Sequence, residues 1–338
     1  MKVVVDIYGA DHSPDEIIKG CLIAIQKNPD LKIVMVGDLK EITAFLSNQT
    51  YNSNQIEIVN AEEVITCEDI PTVAIKTKKN SSLVVAVERT KIDSEVVGMV
   101  SAGSTGAVLT GALLKIGRIK GVSRPALAPV LPTKNGGKVL LIDSGANMDC
   151  KPVQLCHFAV MGSAYMKNMF GIKNPRVALL NVGTEDAKGN ELCKETFPML
   201  KKLPINFVGN MEARDFLSGN YDVVVADGFW GNILLKSSEG AVLMLLDLLK
   251  QEIYKTTRGK IGGMLLKPSF NNLKDKIDYS ENGGAPFLGI QKVVVKAHGS
   301  SKANSIAVAI QQVVEMASAN LPKLIDNEIQ KVVIDDDR

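Results

Sequence analysis

Short runs of valine, isoleucine and leucine recur along the 338 residues, each opening into a polar loop and then a helical stretch. Val3-Val4-Val5-Asp6 leads through Gly9–Pro14 into a helix expected over Asp15–Gln26, and Lys32–Val36 ends at Gly37-Asp38. Val96–Val100 leads through Ser101–Gly106 into Ala107–Ile116, and Val139–Ile142 through Asp143–Asp149 into Pro152–Phe170. Val177–Leu180 precedes Glu191–Lys202, Val223–Ala226 precedes Ile233–Glu252, and Val293–Lys296 precedes Lys302–Ala319. These runs are continuously apolar rather than alternating, which marks strands covered on both faces. Regular strand–helix alternation predicts parallel crossovers. The expected fold is α/β: a largely parallel sheet with helices on both faces, in a single domain over residues 1–338.

Loops that follow parallel strands leave one edge of the sheet, where open α/β folds bind ligands. Here they are rich in Gly, Asn, Asp, Ser and Lys, although each residue taken singly also fits ordinary turn chemistry. A different texture runs from Lys250 to Lys276, with seven basic residues around Ile261, Met264, Leu265 and Leu266. It predicts a helical hairpin within 241–280 whose bend is basic and apolar-tipped, flanked by Lys260 and Lys267. Leu321–Arg338 reads as a polar terminal helix or tail. The longest uncharged run, Val96–Leu114, carries Ser101, Gly103, Ser104, Thr105 and Gly106 at its centre, which marks a turn rather than a membrane span.

Composition narrows the classes. Hydrophobic residues make up 46% and charged residues 22%, a globular balance rather than a disordered one. The net charge of +2 carries no whole-chain signal for nucleic acid, so any acidic partner must meet a local patch. Five scattered cysteines without a C-x-x-C argue for a reducing cytoplasm and against a zinc knuckle or redox pair. Asp6 interrupts the first apolar run too early for a secretory signal. No two glycines are separated by a single residue, so the dinucleotide fingerprint is missing, as are the phosphate-binding P-loop and the G-x-S-x-G elbow. Asp6, Asp11, Asp143, Asp149 and Asp227 fall near strand ends without a metal-binding spacing, and His12, His157 and His298 are dispersed. Capping and turn roles are expected for the aspartates, core packing for His157, and neither metal nor cofactor for the chain.

Four loops carry candidate chemistry. In Ser101–Gly106, glycines allow close backbone approach and hydroxyls donate, which suits either a phosphate or plain helix capping. In Thr184–Asn190, Lys188 stands beside Gly189, where it can meet a phosphate or oxyanion or simply be solvated. Asp227–Asn232 offers Asn232, able to donate and accept, with Lys236 one turn further along the same helix face. Lys296–Ser301 places His298 at a strand end, as an acid–base group or as a structural histidine.

Together these loops resemble the bacterial phosphate acyltransferases of phospholipid synthesis, the PlsX family. The resemblance rests on Asp6–Pro14, Ser101–Ala107, Arg124–Thr133, Asp143–Pro152, Phe158–Ser163, Pro175–Asn190, Asn206–Asp215, Asp227–Lys236, Gly283–Gly289 and Lys296–Ser301, in order over nearly the whole chain. Ala10 and Ser104 depart from it, standing where the family usually has Gly and Asn. The resemblance implies a fold like phosphotransacetylases and isopropylmalate-type dehydrogenases, usually as a homodimer. It implies conversion of long-chain acyl-acyl carrier protein and inorganic phosphate into acyl phosphate and free carrier protein. Phosphate is itself a nucleophile, so no enzyme nucleophile is needed, in keeping with the missing serine elbow. Lys188 is then expected to stabilise charge, Asn232 to orient phosphate or carbonyl, and His298 to move a proton. Gly103, Ser104, Thr105, Gly106, Asn147, Asp227 and Gly231 are expected around the substrate. Lys260, Ile261, Met264, Leu265, Leu266 and Lys267 are expected to meet the carrier protein or a membrane surface. The rival readings are a phosphotransacetylase acting on acyl-coenzyme A, a nicotinamide-linked dehydrogenase of similar fold, and a non-catalytic acyl-carrier-binding protein.

Overall fold

The computed structural model describes residues 1–12, 14–277 and 283–332, with the side chains of 271–277 outside that description. Among these residues the chain forms β1 (Lys2–Asp6), β2 (Lys32–Gly37), β3 (Ile56–Asn60), β4 (Val96–Ser101), β5 (Ala126–Leu127) and β6 (Val130–Pro132). It continues with β7 (Lys138–Ile142), β8 (Val177–Asn181), β9 (Phe207–Glu212), β10 (Val223–Val225), β11 (Gly284–Leu288) and β12 (Val293–Ala297). They make not one sheet but two: seven strands ordered β3-β2-β1-β4-β12-β11-β5, and five ordered β6-β7-β10-β8-β9. Neighbours from β3 to β12 are parallel, as are those from β7 to β9, while β11 and β6 run antiparallel to their neighbours. The fully buried Val3–Val5, Leu140–Ile142 and Val223–Val225 account for the continuous apolar runs.

One buried cluster takes Val5 and Val100 from the first sheet and Ile142, Val177 and Val223 from the second. The helix Pro152–Phe170 supplies Phe158 and Tyr165 to that cluster and stops at Gly171, whose φ of 68° suits a left-handed C-cap. Helix Leu321–Ile329 packs against it through the buried Leu321, Ile325 and Ile329, and residues 333–338 of the expected tail lie outside the described residues.

Two expectations shift. Helix Gly228–Tyr254 begins five residues before the expected Ile233, because the Asp227 side chain accepts from Trp230 N at 2.8 Å and caps it. Asn232 is therefore in the helix, not in a loop. The hairpin's bend falls at Lys255-Thr256, so Ile261, Met264, Leu265 and Leu266 lie inside the second helix, Thr257–Ile277, rather than at the tip. The three glycines in Gly259–Gly263 explain the mismatch: they read as a turn, but the structure uses Gly259 and Gly263 for close packing on Ile253 of the first helix. Residues 278–280 of the expected hairpin lie outside the described residues.

Candidate active site

Because β1, β4 and β12 are parallel, the loops after all three leave one edge of the seven-stranded sheet. The parallel β7, β10 and β8 do the same in the five-stranded sheet. The first set of loops and the Ser144-Gly145 turn of the second line a cleft of about 720 Å³, within the usual ~300–1,000 Å³ of small-molecule sites.

On its polar side, Gly9 has φ +92° and sits so close to Gly103 that a Cβ would come within 2.4 Å of the Gly103 Cα. Neither the conformation nor the contact admits a side chain there. Ala10, the departure beside it, is not among the residues of positive φ. Ser101 Oγ donates to Asp6 at 2.7 Å and accepts from Gly103 N at 3.1 Å, tying the glycine loop to β1. Burial pushes the Asp6 carboxyl up to about 6, against the opposing hydrogen bonds from Ser82 and Ser101. Gly103, Ser104, Thr105 and Gly106 all line the cleft. Ser104 stands at the N-cap of Thr105–Gly111 yet makes no capping hydrogen bond, so its hydroxyl is not committed to the helix.

The opposite wall is built by Asp143. Its buried carboxylate accepts from the N–H groups of Leu127 (3.0 Å), Gly145 (3.3 Å), Ala146 (3.1 Å) and Asn147 (2.6 Å). Burial still raises it to about 6. Asn147 Nδ2 donates to Asp143 and to Pro125 O, both at 2.8 Å, so this amide holds the loop and does not line the cleft. Gly231 lets the helix Gly228–Tyr254 lie directly on that loop, since a Cβ there would be 1.8 Å from Asp143 O. The next residue, Asn232, thereby reaches the cleft beside Gly145. Asp227 is spent on its capping bond and lies outside the lining.

His298 lines the cleft. Its Nδ1 accepts from Ser300 N at 3.2 Å, which leaves the proton of the neutral ring on Nε2. Burial, followed by the charges of Lys236 and Lys296, lowers its pKa. The ring is suited to donate one hydrogen bond rather than to act as a strong base. Lys188 is exposed on the loop after β8; Asn181 Nδ2 binds its carbonyl at 3.0 Å, and the residue does not line the cleft. His157 is buried and bonds through Nδ1 to Ser123 Oγ at 2.9 Å, a structural role as expected.

Two groups in the lining were not singled out from sequence, and a further residue, Lys236, was noted only as a helix-face neighbour of Asn232. Lys236 is there, paired with Glu239 at 3.0 Å. Lys296 is there as well, the one charge in the otherwise apolar β12. The far side is largely apolar, formed by Leu127, Pro129, Val130, Tyr165, Met169 and Phe170, with Lys138 over the Phe170 ring at 4.5 Å and Gln312 donating to the Tyr165 hydroxyl. A lysine interrupting a buried strand was a legible signal; Tyr165, Met169 and Phe170 were indistinguishable from core residues of a long helix. Among the described residues no group of three or more His, Cys, Asp or Glu is placed to hold a metal ion.

The α/β halves and the cleft between their loop-bearing edges define a phosphotransacetylase-like fold. A phosphotransacetylase from Streptococcus pyogenes superposes with a TM-score of 0.61 over 95% of this chain and 94% of that one, at 18% identity. A family model described as "Fatty acid synthesis protein" matches residues 1–324. Proteins named phosphate acyltransferase from Clostridium tetani and Bacillus thuringiensis are 44% and 46% identical over 98% of this chain and 99% of each relative. The chain belongs to this PlsX-type family of phosphate acyltransferases.

The hairpin exposes more apolar surface than the pattern around Ile261 predicted. Met264 and Leu265 are 73% and 77% exposed, and Leu243, Met244, Leu245 and Leu248 on the first helix are about half exposed or more. No helix among the described residues is long and apolar enough to cross a membrane.

Proposed function

We propose that this chain transfers a long-chain acyl group from the thioester of an acyl carrier protein to inorganic phosphate. Hydrogen phosphate attacks the thioester carbonyl carbon, a C–O bond forms, and the C–S bond breaks. The proton of hydrogen phosphate ends on the departing thiol, so acyl phosphate and free carrier protein are the products. Supporting this is one observation above others: a single cleft brings the Gly103–Gly106 loop, its hydroxyls, Asn232 and His298 together with a largely apolar stretch of wall. The reaction needs those two environments within one bond of each other.

In this reading, the Gly103–Gly106 loop and Ser104 and Thr105 hold phosphate, Asn232 orients it against the carbonyl, and the His298 Nε2–H donates to an oxygen. Holding the two reactants in attack geometry and aiming fixed dipoles at the tetrahedral oxyanion together supply the acceleration. Asn147, Asp227 and Gly231 act on the substrate indirectly, by fixing the loop and helix that carry Asn232. Lys188, on the rim of the second sheet, is proposed as the cation that meets the carrier-linked end of the reactant. The residues 1–338 work as one catalytic unit, supported by the core shared between the sheets.

The hairpin is proposed to touch the acidic carrier or the inner face of a membrane, where a lipophilic product is used. Its exposed Lys260 and Lys267 beside Met264 and Leu265 support this. A homodimer is proposed from the family resemblance. The half-exposed Phe229, Trp230 and Ile233 offer an apolar face for such a contact. The acyl-coenzyme A alternative is separated by assaying both donors. Mixing protein, acyl-carrier protein and phosphate and looking for acyl phosphate by mass spectrometry tests the main reading; thiol release without that product overturns it.

A further inference from the structure

We propose that Lys296 is the cation that receives the phosphate anion, its ammonium donating to the phosphate from the end of β12 beneath the Gly103–Gly106 loop. This deepens the proposed function by naming a charge at the same site.

Position comes first. β12 is interior to the seven-stranded sheet, between β4 and β11, and Val293, Val294, Val295 and Ala297 are buried. Lys296 is the charged exception, paired in register with Ser101, the residue that opens the glycine loop. Burying an ammonium without compensation is unfavourable, so a lysine here needs a reason. Its Nζ donates to Ala102 O at 3.3 Å and to Ala297 O. An ammonium has three donors. Two hold the side chain between the loop and its own strand, and the third is left for the cleft that Lys296 lines.

Charge comes second. Lys236, its neighbour in the cleft, is already ion-paired with Glu239 at 3.0 Å, and Lys138, which also lines it, stands over the Phe170 ring at 4.5 Å. No carboxylate lies within ion-pair distance of Lys296 among the described residues. Asp6 and Asp11 act on it only through space, and Asp6 is engaged by Ser101. Burial is the main influence, and with Lys236 it lowers the Lys296 pKa to about 8, against Cys67, Asp11 and Asp6, which raise it. A dianion in contact would supply the missing partner and restore the proton. The ligand is a tetrahedral phosphate. The ammonium stands at the strand end under the glycine loop, so the proposal commits to free inorganic phosphate rather than the phosphodiester of a pantetheine arm.

The test measures phosphate binding directly by titration calorimetry, alongside steady-state kinetics, on the full chain. Lys296→Met should weaken inorganic phosphate binding and raise its KM by about tenfold or more, the scale of a lost charge-assisted hydrogen bond. The KM for acyl-carrier protein should stay within about twofold, while Lys296→Arg recovers part of the phosphate affinity. In the wild type, phosphate affinity should fall as pH rises through about 8, because the ammonium deprotonates, and Lys296→Met should lack that fall. Unchanged phosphate affinity in a folded Lys296→Met protein overturns the proposal. So does a variant that loses affinity for phosphopantetheine but not for inorganic phosphate. Should Lys296→Met fail to fold, a wild-type affinity flat from pH 7 to pH 9.5 overturns it equally. Binding that depends on Lys296 without acyl phosphate formation would refute the proposed reaction while leaving this site intact.

Discussion

Replacing Gly231 by alanine should separate the geometry of the cleft from the stability of the fold. The new Cβ would lie 1.8 Å from Asp143 O, where ordinary contact begins at 3.4 Å, so helix and loop must part by about 1.6 Å. That backbone oxygen belongs to the loop whose amides wrap the Asp143 carboxylate, and it cannot swing aside like a side chain. The helix start must therefore move, carrying Asn232 away from Gly145. Misplacement of about 1 Å at a reacting centre reduces rate on the order of 100-fold. Overpacking of this kind destabilises by about 1–3 kcal/mol, a Tm loss of only several degrees for a chain this long. The assay is thiol release from acyl-carrier protein with phosphate present, read beside thermal unfolding. A folded Gly231→Ala enzyme with turnover within about threefold of wild type would refute the argument that helix contact sets the site, since ~100-fold is expected.

Asn232→Ala should lower kcat by roughly 10- to 1,000-fold if it orients the reactants, with little change in Tm. Near wild-type turnover in both Asn232→Ala and Lys188→Ala removes both assigned roles. Val308, which lines the same cleft, should on enlargement to Phe shift preference toward shorter acyl chains, measured as kcat/KM across donors. An unchanged length profile places the chain elsewhere. For Asp143, burial raises the folded pKa to about 6 from an ordinary 3.8, so between these values the folded chain binds the proton first. Its contribution to stability therefore grows as pH falls from 6 to 3.8, and Asp143→Asn should lack that contribution in unfolding measured across the window. Equal pH slopes in both proteins contradict the assignment. Leu265→Glu with Met264→Glu should abolish flotation with anionic vesicles and leave transfer between soluble substrates unchanged; retained flotation removes the hairpin from the membrane.

Much of this architecture was legible because buried parallel strands need unbroken apolar runs. Val3–Asp6, Val139–Ile142 and Val293–Lys296 each appear as strands extended by one residue, and Pro152–Phe170 and Glu191–Lys202 match their helices end for end. The division into two sheets was hidden, since pairing partners leave no local pattern. β11, Gly-Ala-Pro-Phe-Leu, and the two-residue β5 have neither the length nor the β-branched content of a strand. Helix Gly228–Tyr254 was misjudged at its start because two glycines mimic a loop, and one of them, Gly231, exists for close approach. At the site, Gly103–Gly106, Asn232 and His298 converge as the loop positions implied. Asn147 and Asp227 sit near them but face their own loop and helix, a distinction made by side-chain direction. The apolar wall of Tyr165, Met169 and Phe170 was invisible because a substrate wall and a core have the same composition.

The most direct measurement uses phosphate labelled with oxygen-18 and acyl-carrier protein, with the product analysed by mass spectrometry. The expected product is acyl phosphate carrying every labelled oxygen of the phosphate, with the carbonyl oxygen unlabelled. Free fatty acid as the first product, or thiol release that proceeds equally without phosphate, would contradict it.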